Sequence, residues 1–214
     1  MKNFSQTLGF LLFVLLPAVP ASAKIGWGGS IGISRSALVQ RMDMDYRSGA
    51  RVGANLGALL DIHLRQRFSL RPELLFAFES GSFLSEKMAA SGEFGLKNEL
   101  SSYALQIPVN LAYNIPISGV RMTVFAGPAL DFKLHSKVKG KQLLALDEGA
   151  TPFSPAKVRD FDLDANAGIA VEYRGLFFSI RLLGGFLDRR AERLDNTPSV
   201  HQNSMTFSLG YIFR

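Results

Sequence analysis

The sequence predicts an all-β fold, an eight-stranded antiparallel up-and-down transmembrane β-barrel with short periplasmic turns and long extracellular loops. Three observations predict it: apolar residues recur with a period of two, long and short connections alternate, and one face of the strands carries no charged residue. The 214 residues are 47% hydrophobic and 11% aromatic and include no cysteine. This composition excludes a disordered chain, a disulfide scaffold and a cysteine-anchored lipoprotein.

Residues 1–23 have the pattern of a secretory signal peptide. Lys2 precedes an apolar run at 8–16, and small residues end the segment at Ala23. The run is shorter than the roughly 20 apolar residues that a membrane-spanning helix needs. We therefore expect cleavage after Ala23, export from the cytoplasm, and a single barrel domain formed by residues 24–214.

Alternation of apolar and polar side chains predicts eight strands in the remaining chain. The sixth shows the pattern most clearly, because apolar or small residues from Phe161 to Tyr173 alternate with a polar set from Asp160 to Glu172. The predicted strands are 25–33, 50–62, 67–79, 101–114, 120–132, 160–173, 176–187 and 204–213.

The connections between these strands alternate between long and short. Two segments with the chemistry of turns, Ile115–Gly119 and Arg174–Gly175, fall among the short ones. In an antiparallel barrel such alternation places all the long loops at one end, which is the asymmetry of outer-membrane barrels. Pro72, Pro108 and Pro128 lie inside predicted strands, where each implies a bulge or an interruption of the pairing.

The two strand faces differ in a way that assigns the inside and the outside. The apolar face has no charged residue, whereas the polar face combines arginines, carboxylates and glycines but no lysine within the predicted bounds. A water-facing sheet normally carries lysine, so this polar face is predicted to line a crowded lumen in which guanidinium groups pair with carboxylates. The expected lumen charge network consists of Arg51, Arg71, Glu73, Arg121, Asp131, Asp162, Asp164, Glu172 and Arg181.

Aromatic residues near the predicted strand ends support a lipid-facing apolar surface, because membrane barrels carry aromatic girdles at both interfaces. The candidate girdle residues are Trp27, Phe68, Phe78, Tyr103, Tyr113, Phe132, Phe161, Tyr173, Phe186 and Phe213. Eight strands enclose only enough room for side chains, so we expect a filled lumen instead of a pore.

Several segments together resemble the PorT-type family of outer-membrane β-barrel domains. In order they are Arg71–Phe76, Leu105–Tyr113, Ala126–Leu130, Asp162–Glu172 and Leu209–Phe213. The resemblance implies a small monomeric barrel in the outer membrane of a Gram-negative bacterium, in contact with outer-membrane lipid. It also implies envelope or secretion proteins as partners, since the namesake of the family is linked to a secretion apparatus. The family places prolines at the strand positions noted above.

The first functional hypothesis is a structural or interaction protein that presents loops at the cell surface, with no catalytic, metal or cofactor site. The second is an enzyme that acts on outer-membrane lipids. Its candidate base and nucleophile pairs are His135 with Ser136, and His201 with Ser199 or Ser204. The third is a soluble periplasmic binder of lipocalin type, against which the absence of lysine from the polar face argues.

Two further patterns receive a structural interpretation in preference to a binding site. Asp160, Asp162 and Asp164 form a row on one strand face, but a spacing of ~6.6 Å is wide for a shared cation, and pairing with lumen arginines is favoured. The predicted link 133–159 is basic and fits either a solvated loop or a segment beside lipid phosphates. Its cations lack interleaved aromatics, which argues against nucleic acid.

Overall fold

Eight β-strands form one closed antiparallel barrel in which every strand pairs with its chain neighbours and β8 pairs with β1. The computed structural model describes residues 24–40, 46–85, 96–142, 159–189 and 200–214. The strands are β1 (Ile25–Gln40), β2 (Tyr46–Arg65), β3 (Phe68–Ser85), β4 (Leu96–Ile117), β5 (Val120–Gln142), β6 (Phe161–Tyr173), β7 (Leu176–Gly185) and β8 (Val200–Phe213). The predicted fold class is confirmed, and the expected signal peptide lies outside the described residues.

Most strands extend further than the sequence predicted, at the end away from the short turns. The longest extension is in β5, which was expected to end at Phe132 and continues to Gln142. Beyond Leu134 the exposed side chains, His135 and Lys137, are polar, so the apolar alternation stops while the hydrogen-bonded ladder continues, for example between Ser101 and Lys137. His135 and His201 therefore lie on strands and not in the connections where the sequence placed them.

Two-residue turns join the strands at one end of the barrel. Both residues of Ser118–Gly119 and of Arg174–Gly175 have positive φ, which is the backbone of the hairpin turn that matches the twist of the flanking strands. The third turn is Gln66–Arg67, and His63, which falls between the predicted strands 50–62 and 67–79, belongs to β2. The five-residue turn expected at Ile115–Gly119 is shorter than predicted, because β4 continues to Ile117.

The apolar face is outside and the polar face is inside. Along β6 the burial alternates, with Asp162 and Asp164 buried while Phe161 and Leu163 are exposed. Exposed large apolar side chains cover the outer wall on all eight strands. A soluble barrel with an apolar interior would show the opposite distribution. None of the described segments is a helix long and apolar enough to cross a membrane.

Aromatic contacts mark two levels on the outer wall. Near the short turns, Trp27 stacks on Phe213 with ring centroids 4.4 Å apart, and Phe68 packs on Tyr113 at 5.1 Å. Towards the other end the contacts are between Phe132 and Phe161, at 5.2 Å, and between Tyr103 and both Phe76 and Phe78. We call these two sets the lower and the upper girdle.

The prolines interrupt the pairing without changing the register. Pairing of β3 with β4 skips the positions beside Pro108 and resumes in the same register, and pairing of β4 with β5 does the same beside Pro128. Among the described residues the register shifts lie elsewhere, including one between Tyr103 and Ala104. The bulges that the prolines suggested are therefore absent at those positions.

Candidate functional site: the polar lumen

Charged and amide side chains inside the barrel form three clusters at successive levels along the strands. The lower cluster, next to the short turns, contains Asp61, Arg71, Arg121, Glu172 and Arg214. The middle cluster contains Glu73, Asn110 and Arg181. The upper cluster contains Glu79, Gln106, Asp131, Lys133 and Gln202.

In the lower cluster, two carboxylates are shared among three arginines. Arg121 donates to Glu172 from Nη2 at 2.5 Å and from Nε at 3.2 Å. Arg214 donates from Nη2 to Glu172 at 3.0 Å and to Asp61 at 3.1 Å, and its Nη1 also pairs with Glu172. Arg71 and Arg121 each approach Asp61 at 3.7 Å. Arg214 is not among the lumen residues predicted from the sequence, although it lies two positions after the inward-facing Ile212.

The middle cluster is an ion pair packed among apolar side chains. Arg181 Nη2 donates to both oxygens of Glu73, at 2.5 and 2.6 Å, and Asn110 Nδ2 donates to one of them at 3.1 Å. The Arg181 guanidinium lies 5.3 Å from the ring centre of Phe125. Phe125 and Phe177 are both almost fully buried, and the cavity at this level has a volume of only about 10 Å³.

Two glycines make room for these aromatic rings. A Cβ atom on Gly168 would lie 2.5 Å from the Phe125 ring and 2.4 Å from the Ile180 carbonyl oxygen, and one on Gly210 would lie 2.4 Å from both the Phe177 ring and the Gly29 carbonyl oxygen. These distances are below van der Waals contact, so only glycine fits opposite each ring. This packing closes the centre of the lumen, as expected for eight strands.

In the upper cluster, a buried lysine joins two carboxylates. Lys133 Nζ pairs with Glu79 and donates to Asp131 at 2.6 Å, and it is only 6% exposed. Gln106 donates to both carboxylates, at 2.8 and 3.2 Å, and Gln202 donates to Glu79 at 2.9 Å. The sequence pattern places Lys133 in a basic loop and predicts no lysine on the lumen face. That interpretation is wrong for Lys133, because β5 continues past it.

The remaining predicted members of the network are arranged differently. Asp162 accepts hydrogen bonds from the backbone N–H groups of Leu163, at 2.8 Å, and Leu187, at 3.0 Å. Asp164 is 2% exposed, and its Oδ2 has no hydrogen-bond partner among the described residues. Among the described residues, neither aspartate forms the ion pair with an arginine that the sequence predicts. Arg51 lies on β2 opposite Ser36, with its side chain partly exposed.

A comparison with known protein families shows which family the chain belongs to. Residues 4–188 match the family described as outer membrane protein beta-barrel domain. The chain belongs to this family. Its location is the outer membrane, and its lumen is that of a small eight-stranded outer-membrane barrel. No curated protein sequence matches the chain.

Solved structures of other outer-membrane barrels are similar in outline only. Ail, the attachment invasion locus protein of Yersinia pestis, is 12% identical with a TM-score of 0.41 over 89% of this chain and 99% of Ail. Neisserial surface protein A is 9% identical with a TM-score of 0.45 over 87% and 97%. The outer membrane enzyme PagL is 11% identical with a TM-score of 0.37 over 83% and 97%. Likenesses this low say nothing about the activity of this outer-membrane barrel.

Within the described residues, the structure brings together neither His135 with Ser136 nor His201 with Ser204, as the enzyme hypothesis would require. His135 is exposed on the outer wall opposite Tyr103, whereas Ser136 faces inward and lies 3.0 Å from Ser102, Oγ to Oγ. His201 and Ser204 stand three positions apart on β8, where alternate residues face opposite sides, and Ser204 faces the lumen. Ser199 lies outside the described residues. No cluster of three or more potential metal ligands occurs in the described part of the chain.

Proposed function

We propose that this outer-membrane barrel is a monomeric, non-catalytic scaffold that carries its extracellular connections for contact with other envelope or secretion proteins. The observation that supports the proposal is the middle cluster, in which an ion pair and two phenylalanines fill the lumen. A lumen closed in this way favours a structural element over a channel. The resemblance to the PorT-type family, whose namesake is linked to a secretion apparatus, is the basis for proposing a secretion-associated role within that class.

The extended strands support a display role. At the end away from the short turns, β4 and β5 remain paired from Tyr103 and His135 up to Leu96 and Gln142. This paired extension lies beyond the upper girdle, so β5 ends at Gln142 away from the lipid surface, whereas the chain re-enters the barrel at Asp160, whose carbonyl oxygen accepts a hydrogen bond from Lys133 N–H. Surface loops on a rigid scaffold are a common location for protein recognition.

The test measures conductance and lipid chemistry on the same folded preparation. We expect no channel events when the barrel is inserted into planar bilayers, and no mass change in outer-membrane lipid incubated with it. Steady conductance would contradict the closed scaffold. Lipid cleavage that disappears in His135→Ala or His201→Ala would establish the enzyme hypothesis instead.

The interaction role is tested in intact cells. A variant with residues 146–155 replaced by a Gly/Ser linker retains the described strands, and we expect it to reach the outer membrane with normal unheated gel mobility. Photo-crosslinks from the wild-type connection to envelope proteins should be absent from this variant. A variant that crosslinks to the same proteins as the wild type would contradict the proposed use of this connection.

A further inference from the structure

Exposed cationic side chains surround the end of the barrel that carries the short turns. Lys24 precedes β1, Arg65 and Arg67 lie at the turn between β2 and β3, and Arg174 lies in the turn between β6 and β7. We call these four residues the basic collar. All four side chains are exposed, and none forms an ion pair with the described residues.

The collar is not neutralised by acidic side chains at the same end. In the described chain, the carboxylates near these turns are Asp61 and Glu172, which are 5% and 6% exposed. Both are already bound by arginines of the lower cluster. The exposed side-chain charge of this end is therefore positive, and it is available to an external anion.

Two collar arginines contact tyrosines next to the short turns, and one of these tyrosines, Tyr113, belongs to the lower girdle. Arg67 Nη1 is 3.5 Å from the hydroxyl oxygen of Tyr113, and the Arg174 guanidinium carbon is 5.2 Å from the ring centre of Tyr173. Both tyrosines are exposed on the outer wall. Aromatic girdles lie at the level of the lipid headgroups, so these contacts hold the two guanidinium groups at the depth of the phosphates.

We propose that the basic collar binds the phosphate groups of anionic phospholipids in the periplasmic leaflet of the outer membrane. Guanidinium groups donate paired N–H bonds to phosphate oxygens, which suits Arg67 and Arg174 in these positions. Their contacts with outward-facing tyrosines favour lipid over peptidoglycan, because a site for that polymer would face the periplasm and not the bilayer.

Trp27 provides a natural reporter for the test. It is the only tryptophan in the chain, it is exposed on the outer wall, and it stacks on Phe213 in the lower girdle. The folded barrel is placed in nanodiscs that contain either brominated phosphatidylglycerol or brominated phosphatidylcholine at the same low mole fraction. Stronger quenching by the anionic lipid is expected, corresponding to a local enrichment of about fivefold.

Variants show which residues cause the preference for the anionic lipid. We expect K24Q/R65Q/R67Q/R174Q to quench equally with both lipids, and R35Q/K137Q, which removes exposed cations from the other half of the barrel, to keep the preference. Unheated gel mobility checks folding, and R67Q/R174Q serves as the test if the fourfold variant fails to fold.

Three results would overturn the proposal. They are equal quenching of wild type by the two lipids, a preference that survives in the collar variant, and a preference lost equally in R35Q/K137Q. Sedimentation of the wild type, but not of the collar variant, with peptidoglycan sacculi in the absence of a lipid preference would assign the collar to that polymer. None of these results depends on whether the extracellular connection binds proteins.

Discussion

Arg181 and Glu73 tie opposite walls of the barrel together. They are 108 residues apart in the chain, and the Arg181 Nη2 lies 2.5 and 2.6 Å from the two carboxylate oxygens. Glu73 is on β3 and Arg181 on β7, four strands apart in a closed ring of eight, so the pair crosses the full width of the lumen. Ladder hydrogen bonds join only neighbouring strands, whereas this contact couples strands that have no ladder in common.

Replacing Glu73 with alanine should destabilise the barrel strongly. Arg181 would remain buried without its carboxylate, and breaking a buried ion pair in this way costs about 3 to 5 kcal/mol. The loss is measured as a change in the free energy of unfolding in urea, in lipid vesicles, by unheated gel mobility. The E73L/R181M double variant, which removes both charges, should lose less, and a double variant as unstable as E73A would show that the unpaired charge is not the cause.

An arginine in the middle of the outer wall should also destabilise the barrel. Ile169 lies between Tyr173 of the lower girdle level and Phe161 of the upper girdle, and its side chain is 48% exposed. Ile169→Arg should cost about 2 to 4 kcal/mol at this depth, whereas Leu176→Arg, beside the short turn, should cost about 0 to 1 kcal/mol. Equal losses at the two positions would contradict the assignment of this wall to lipid.

The glycines opposite the lumen phenylalanines can be tested against a glycine on the outer wall. Gly168→Ala places a methyl group 2.5 Å from the Phe125 ring and 2.4 Å from the Ile180 carbonyl oxygen, and it should cost about 1 to 3 kcal/mol. Gly29→Ala is the control, because its nearest neighbour beyond the adjacent residues would be 3.4 Å away. We expect little change for G29A, and a similar loss in the two variants would indicate a backbone effect unrelated to the ring.

From the contacts of the upper cluster, we expect Lys133 to stabilise the folded barrel and Lys137 to contribute little to its stability. Lys133→Met leaves Glu79 and Asp131 buried without their cation, which should cost several kcal/mol. Lys137 is exposed four positions further along the same strand, so Lys137→Met should change the free energy of unfolding by about 0.5 kcal/mol or less. An unchanged free energy of unfolding in K133M would show that the ion pairs of Lys133 do not stabilise the lumen.

Lys133 also shows how far the sequence could predict the site. If the alternation of β5 is continued past Asp131, Lys133 faces inward. Its orientation could therefore be predicted from the sequence by extending the strand beyond Phe132. The outward orientation of His135 could not be predicted in this way, because the register shift near Tyr103 turns both Leu134 and His135 outward. The alternation locates strands and faces, whereas a bulge depends on pairing with another strand.

Asp162 shows the second limit of the sequence. Its carboxylate is bound by the backbone N–H group of Leu187, which comes from a segment 25 residues away. A hydrogen bond from a backbone N–H group cannot be recognised from the type of the donor residue. Charge pairs such as Arg121 with Glu172, in contrast, are suggested by opposite charges on neighbouring strands. The charge pairs were therefore easier to predict than the backbone hydrogen bonds that bind Asp162.

The lower cluster should contribute less stability than the middle cluster, because it lies closer to water. Glu172→Ala removes one of the two carboxylates that Arg121 and Arg214 share, and those side chains are 26% and 41% exposed and can be hydrated. We expect a loss of about 1 to 2 kcal/mol, intermediate between exposed and buried ion pairs and smaller than that of E73A. Raising the salt concentration should reduce the difference between wild type and E172A while leaving that of E73A nearly unchanged, since ions screen only the accessible pairs. If E172A proved as destabilising as E73A, and equally insensitive to salt, the lower end of the lumen would have to be as dry as its centre.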